Sequence, residues 1–149
     1  MTLFDQISND IKAAMLAKDK VKLLALRNVK KLLLEAKTAP GANDTVTDDT
    51  ALKIIQKLVK QGKDSAQIYT EQNRQDLADE ELGQVRELEA YLPKQLTAGE
   101  LELELKRVIA QIGAAGPQDM GKVMGVATKA LTGKAEGRAI SETVKRLLG

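Results

Sequence analysis

Apolar side chains recur along almost the whole chain at spacings of three and four, and no stretch sustains the strict alternation of a half-buried strand. The pattern predicts an all-α protein with seven helices. Thr2, with Asp5 three residues on, caps a first helix whose stripe is Leu3, Ile7, Ile11, Ala14 and Met15, ending near Ala17. Asp19 caps a second helix with Val21, Leu24, Val29, Leu32 and Leu33 facing inward. Leu23, Leu26 and Leu34 widen that stripe, so this helix is expected to be sandwiched between neighbours. Thr38 to Val46 has Pro, Gly, Asn and Asp without periodicity and reads as a mobile loop. Thr47 opens a third helix, with Asp48 and Asp49 at its positive end and Leu52, Ile55, Val59, Gly62, Ala66 and Tyr69 on one face.

A fourth helix is expected over Arg74 to Leu92, with Leu77, Leu82, Val85, Leu88 and Leu92 inward, until Pro93 stops it. Thr97 and Glu100 form a capping box for a fifth helix carrying Leu101, Leu105, Val108, Ile109 and Ile112, which Gly113 closes. Pro117 fits the first turn of a sixth helix terminated by Gly133, and a seventh runs from about Gly137 to Leu148. The reading is an N-terminal long-helix domain, residues 1–92, a linker at 93–96 and a small C-terminal three-helix bundle, residues 97–149.

Composition narrows the chemistry. The 149 residues include no His and no Cys, which removes histidine-based triads, cysteine nucleophiles, His/Cys zinc sites and disulfides. No cofactor or metal site is expected. Phe4, Tyr69 and Tyr91 are the only aromatics, too few for a base-stacking platform. No apolar run is long enough for a membrane helix, and the N-terminus has no basic region leading into a signal sequence, so a cytoplasmic protein with no membrane partner is expected.

Charge is uneven. Residues 1–37 carry 8 basic and 4 acidic side chains, residues 38–92 carry 6 and 11, and residues 93–149 carry 9 and 6. From Lys106 onward, 8 basic residues face only Asp119, Glu136 and Glu142. The best phosphate-contacting candidates are therefore Lys122, Lys129, Lys134 and Arg138, followed by Lys145 and Arg146. Gly133 and Gly137 lie between a helix end and a helix start; either free backbone N–H groups there face an anion, or the glycines only turn the chain.

Other motifs fall away on their chemistry. Gly116 to Lys122 matches the outline of a phosphate-binding loop, yet Val123 stands where a magnesium-holding hydroxyl is needed and a helix, not a strand, precedes it. Gly121 and Gly125, four apart, are expected to let this helix approach a neighbour closely. Asp76, Asp79, Glu80, Glu81, Glu87 and Glu89 read as a solvated helix face, and Ser65 has no base arranged to activate it. No catalytic residues are assigned.

Six segments, in order, carry a resemblance: Leu26–Lys30 (LRNVK), Lys60–Ser65 (KQGKDS), Asn73–Ala78 (NRQDLA), Tyr91–Leu96 (YLPKQL), Asp119–Met124 (DMGKVM) and Gly133–Gly137 (GKAEG). Together they resemble the YqeY family across essentially the whole chain. That family shares its domain with the C-terminal tail of the B subunit of the glutamine-dependent tRNA amidotransferase, and some glutaminyl-tRNA synthetases carry a similar appendix; in those relatives the helical tail contacts tRNA. The resemblance implies an accessory, tRNA-associated role, with tRNA and a tRNA-processing or aminoacylation protein as expected partners. Carbon–nitrogen ligase activity with glutamine as amide donor would belong to a larger assembly. A protein-interaction adaptor docking through the Leu23/Leu26/Leu34 side is the alternative. Two departures stand out: Gly62, where the family often has a basic residue, and Glu136, where Asp is usual. Glu is the poorer helix cap.

Overall fold

The computed structural model describes residues 1–149, which form seven α-helices and no strand. They are α1 (Leu3–Ala17), α2 (Lys20–Lys37), α3 (Asp48–Glu71), α4 (Gln75–Glu89), α5 (Ala98–Ile112), α6 (Met120–Ala130) and α7 (Gly137–Leu148), with a one-turn 3-10 helix, Pro117–Asp119, ahead of α6. The chain divides into two compact units, Met1–Leu92 and Pro93–Gly149.

Local chemistry sets the helix ends. Thr2 and Thr97 make complete capping boxes with Asp5 and Glu100, while Asp19 and Thr47 accept from the backbone N–H groups of Lys22 and Thr50. Lys18 and Gly113 close α1 and α5 in the left-handed conformation. α4 ends at Glu89, three residues before the expected Leu92: Ala90 is still in the helical region, but Tyr91 and Leu92 donate to the carbonyls three residues back, a tightened last turn, and Pro93 cannot continue the helix. Pro117 sits in the 3-10 turn rather than in α6, and α6 stops at Ala130, with Gly133 turning the chain at φ 78°.

In the first unit, α3 lies along α4, and α2 touches α1, α3 and α4. Ile7, Leu26, Leu33 and Ile55 are fully buried there, with Val29, Val59, Val85 and Leu88 around them. α2 is thus packed on three sides, but its apolar stripe is wider than its neighbours cover. Leu24 is 52% and Leu34 is 42% exposed, and Val21 is exposed as well. On α1, Met15 also points outward. Leu26 is sealed in the core and Leu23 packs against it, so the three leucines of the expected docking side do not share a surface. The start of α1 is fastened by the Asp48 carboxylate of α3, which accepts from the Leu3 N–H at 2.9 Å, and Lys37 of α2 lies 4.9 Å from the Phe4 ring centre.

The second unit packs α5, α6 and α7 about Leu105, Val123, Ile140 and Val144. The segment leading into α5 is tied down: Leu96 N–H donates to the Lys134 carbonyl at 2.9 Å, and the Gln95 amide donates to the Gly133 carbonyl at 2.6 Å.

Candidate nucleic-acid interface

α6 turns Val123 and Ala127 into the core of the second unit, with Met120 and Met124 packed against it, and leaves Gly121, Lys122, Gly125, Val126 and Lys129 exposed on its other side. Gly121, Lys122, Gly125, Val126, Lys129 and Ala130 line an open hollow of about 620 Å3. Lys122 and Lys129 are seven residues apart, about 10 Å along the axis on one side of the helix. Neither is ion-paired. A Cβ built on Gly121 or Gly125 would meet nothing within 4 Å. The expectation that these glycines admit a neighbouring helix is therefore wrong: their spacing puts two small residues on one face, and the core takes the other face. The result is a strip of bare backbone flanked by two free ammonium groups, which an extended polyanion can approach closely.

The other four basic candidates are placed differently. Arg138 is held by Glu142 at 3.0 Å and Arg146 by Glu102 at 3.0 Å, so their charges are already compensated. The Glu102 carboxyl lies below its ordinary pKa, chiefly through the hydrogen bond from Arg146 and then through the charge of Lys106. Lys134 and Arg146 line a separate groove that also includes the carboxylates Glu136 and Glu142. Lys145 is unpaired and lines neither hollow.

At the Gly133–Gly137 turn, the carbonyls of Gly133 and Lys134 are spent on Gln95 and Leu96. Glu136 is the N-cap of α7 but makes no side-chain capping bond, leaving the first N–H groups of that helix without a side-chain partner. The longer Glu side chain overshoots the geometry that a capping Asp reaches.

A second basic surface overlaps the Leu26–Lys30 segment but is not among the sequence-derived candidates. None of the eight cations in residues 1–37 is ion-paired, and Arg27, Lys30 and Lys31 of α2 line a hollow of about 460 Å3 with Leu34, Glu35 and Thr38. Helical spacing at 27, 30, 31 and 34 is the signal that could have found it.

The segment Gly116 to Lys122 has the 3-10 turn and α6 in place of a strand and loop, and the Asp119 carboxylate accepts from the Ala115 N–H at 2.9 Å. Around Ser65, Lys60 pairs with Asp64 at 3.3 Å and Lys63 reaches Glu89 at 4.0 Å, so neither lysine is arranged to activate the hydroxyl.

No helix is long and apolar enough to cross a membrane. Comparison with known proteins places the chain among relatives named altered inheritance of mitochondria protein 41, mitochondrial. The protein from Vanderwaltozyma polyspora is 35% identical over 101 residues, 67% of this chain and 54% of the relative. That from Pyrenophora tritici-repentis is 27% identical over 146 residues, 97% of this chain and 80% of the relative. A Saccharomyces cerevisiae protein of the same name is 30% identical over 105 residues, 66% and 52% of the two chains. The chain thus spans about half the length of the two yeast relatives and most of the Pyrenophora one. A family profile described as Yqey-like protein matches residues 4–148, nearly the entire chain, and the six ordered segments fall within that span. The chain belongs to the YqeY-like family.

Proposed function

We propose that this chain is an accessory RNA-binding protein that holds tRNA by its phosphates. The observation that carries the reading is the outward face of α6, where Lys122 and Lys129 stand free beside two glycines that leave the helix backbone open. Counterion release from the phosphate backbone supplies affinity without base-specific contacts, which suits a surface almost devoid of aromatics. Lys134 and Lys145 add uncompensated charge, and Arg27, Lys30 and Lys31 offer the first unit a strip of the same sign. Any glutamine-dependent amide transfer belongs to a larger assembly that this protein would serve, with a tRNA-processing or aminoacylation protein beside it in the cytoplasm.

The test is a titration of labelled total tRNA with the full chain at several salt concentrations. Lys122→Gln combined with Lys129→Gln should lower affinity and flatten the log–log salt slope by about two, roughly one for each phosphate no longer neutralised. Arg138→Gln with Arg146→Gln should matter less, because both charges are already neutralised by carboxylates. If the parent shows no salt-dependent binding, the adaptor reading replaces this one. Leu16, Val21 and Leu24 are among the exposed apolar residues that an adaptor's partner would cover.

A further inference from the structure

The first unit has a cleft of about 210 Å3 between α2, α3 and α4. Its floor is apolar, formed by Ala25, Val85 and Leu88, all buried. Its walls are polar: Asn28 from α2, Gln61 and Ser65 from α3, Glu81 and Gln84 from α4. None of these five side chains takes part in a hydrogen bond or ion pair within the chain, although charged and amide side chains elsewhere on α3 and α4 do. The nearby cations are spent, Lys60 on Asp64 and Lys63 on Glu89, so Glu81 is the one charged group lining the cleft.

The donor set selects the ligand. An anion would meet Glu81 with no compensating cation. A purely apolar molecule would make no use of the five hydrogen-bonding side chains. A divalent cation prefers several hard charged oxygens, and only one carboxylate is present. A planar monocation with N–H groups around its edge fits: Glu81 can accept two parallel bonds, and the three remaining N–H groups of a substituted guanidinium can be shared among the amide oxygens of Asn28, Gln61 and Gln84 and the Ser65 hydroxyl. We propose that this cleft binds a guanidinium group, carried by a small molecule or by an arginine side chain of a peptide. The site is distinct from the α6 face proposed for tRNA; it shares only α2 with the second basic strip, and that helix gives the cleft Ala25 and Asn28 but none of Arg27, Lys30 or Lys31.

The test follows the side-chain amide signals of Asn28, Gln61 and Gln84 by NMR in the full chain during titration with millimolar methylguanidinium. Tetramethylammonium, with the same charge and no donors, serves as the control. Saturable shifts confined to these amides are expected with methylguanidinium alone, with binding about tenfold or more weaker in Glu81→Gln. A Gly-Arg-Gly peptide that binds more tightly than methylguanidinium, and more tightly than Gly-Lys-Gly, assigns the group to a peptide; equal binding of the peptide and methylguanidinium assigns it to a small molecule. No saturable shift, the same shift with tetramethylammonium, or unchanged binding in a folded Glu81→Gln protein overturns the proposal.

Discussion

The Tyr91 hydroxyl donates a hydrogen bond to the Asp10 carboxylate, joining the end of the first unit to α1 across 81 residues of sequence. Burial, and then this bond, push the phenol pKa well above its ordinary range. A folded-state pKa above the unfolded value means that the stabilisation is complete below about pH 10 and is lost as pH rises toward the native value. Tyr91→Phe should therefore cost about 1.5 kcal/mol at neutral pH, the lower end for a bond to a charged group, since the site is only part-buried. Urea melts of parent and variant from about pH 7 to about pH 11 should show the gap narrowing at the alkaline end.

Glycines on two helices should respond oppositely to alanine. A Cβ on Gly62 would lie 2.5 Å from Cγ2 of Val85, a buried β-branched side chain with little freedom to move. Gly62→Ala should destabilise by about 1–3 kcal/mol through overpacking of α3 on α4. Gly125→Ala meets open space and should stabilise by about 0.5–1 kcal/mol. If α6 faces RNA, the same substitution should also weaken tRNA binding, so melting temperature and affinity would move in opposite directions.

Capping of α7 offers a repair. Glu136→Asp should place a carboxylate within reach of the uncapped N–H groups and add about 0.5–1 kcal/mol, seen as slower amide hydrogen exchange in the first turn of α7. Thr97→Ala, which removes a complete capping box, should cost about 1 kcal/mol by the same measurement on α5.

Arg146 can be released. Glu102→Gln removes the carboxylate that holds it and eliminates a negative charge from α5. Under the RNA reading, tRNA affinity should rise and its salt slope steepen by about one. An unchanged slope would show that Arg146 faces no phosphate even when free.

What is legible in the sequence is what depends on neighbours a few residues away. The caps at Thr2, Asp19, Thr47 and Thr97 each need one short-range bond, and all four form. Faces are harder. The apolar side chains of α2 form a stripe broader than three packed helices can cover, and periodicity does not say that Leu24 and Leu34 are the ones left out. The pairing of Arg146 with Glu102, 44 residues away, turns a candidate phosphate ligand into an internal partner, and the polar cleft draws on three helices at once. Long-range juxtapositions of this kind leave no periodic trace.

The fastening of Gln95 to Gly133 and of Leu96 to Lys134 fixes where the protein can be divided. Judged by helical pattern, the second unit begins at Thr97. Judged by bonding, a cut there would amputate an amide clasp and a backbone bond on which the α6–α7 turn leans. It would also remove Leu96, which packs on the unit's core. A fragment beginning at Pro93 should thus outlast one beginning at Thr97 in a protease time course.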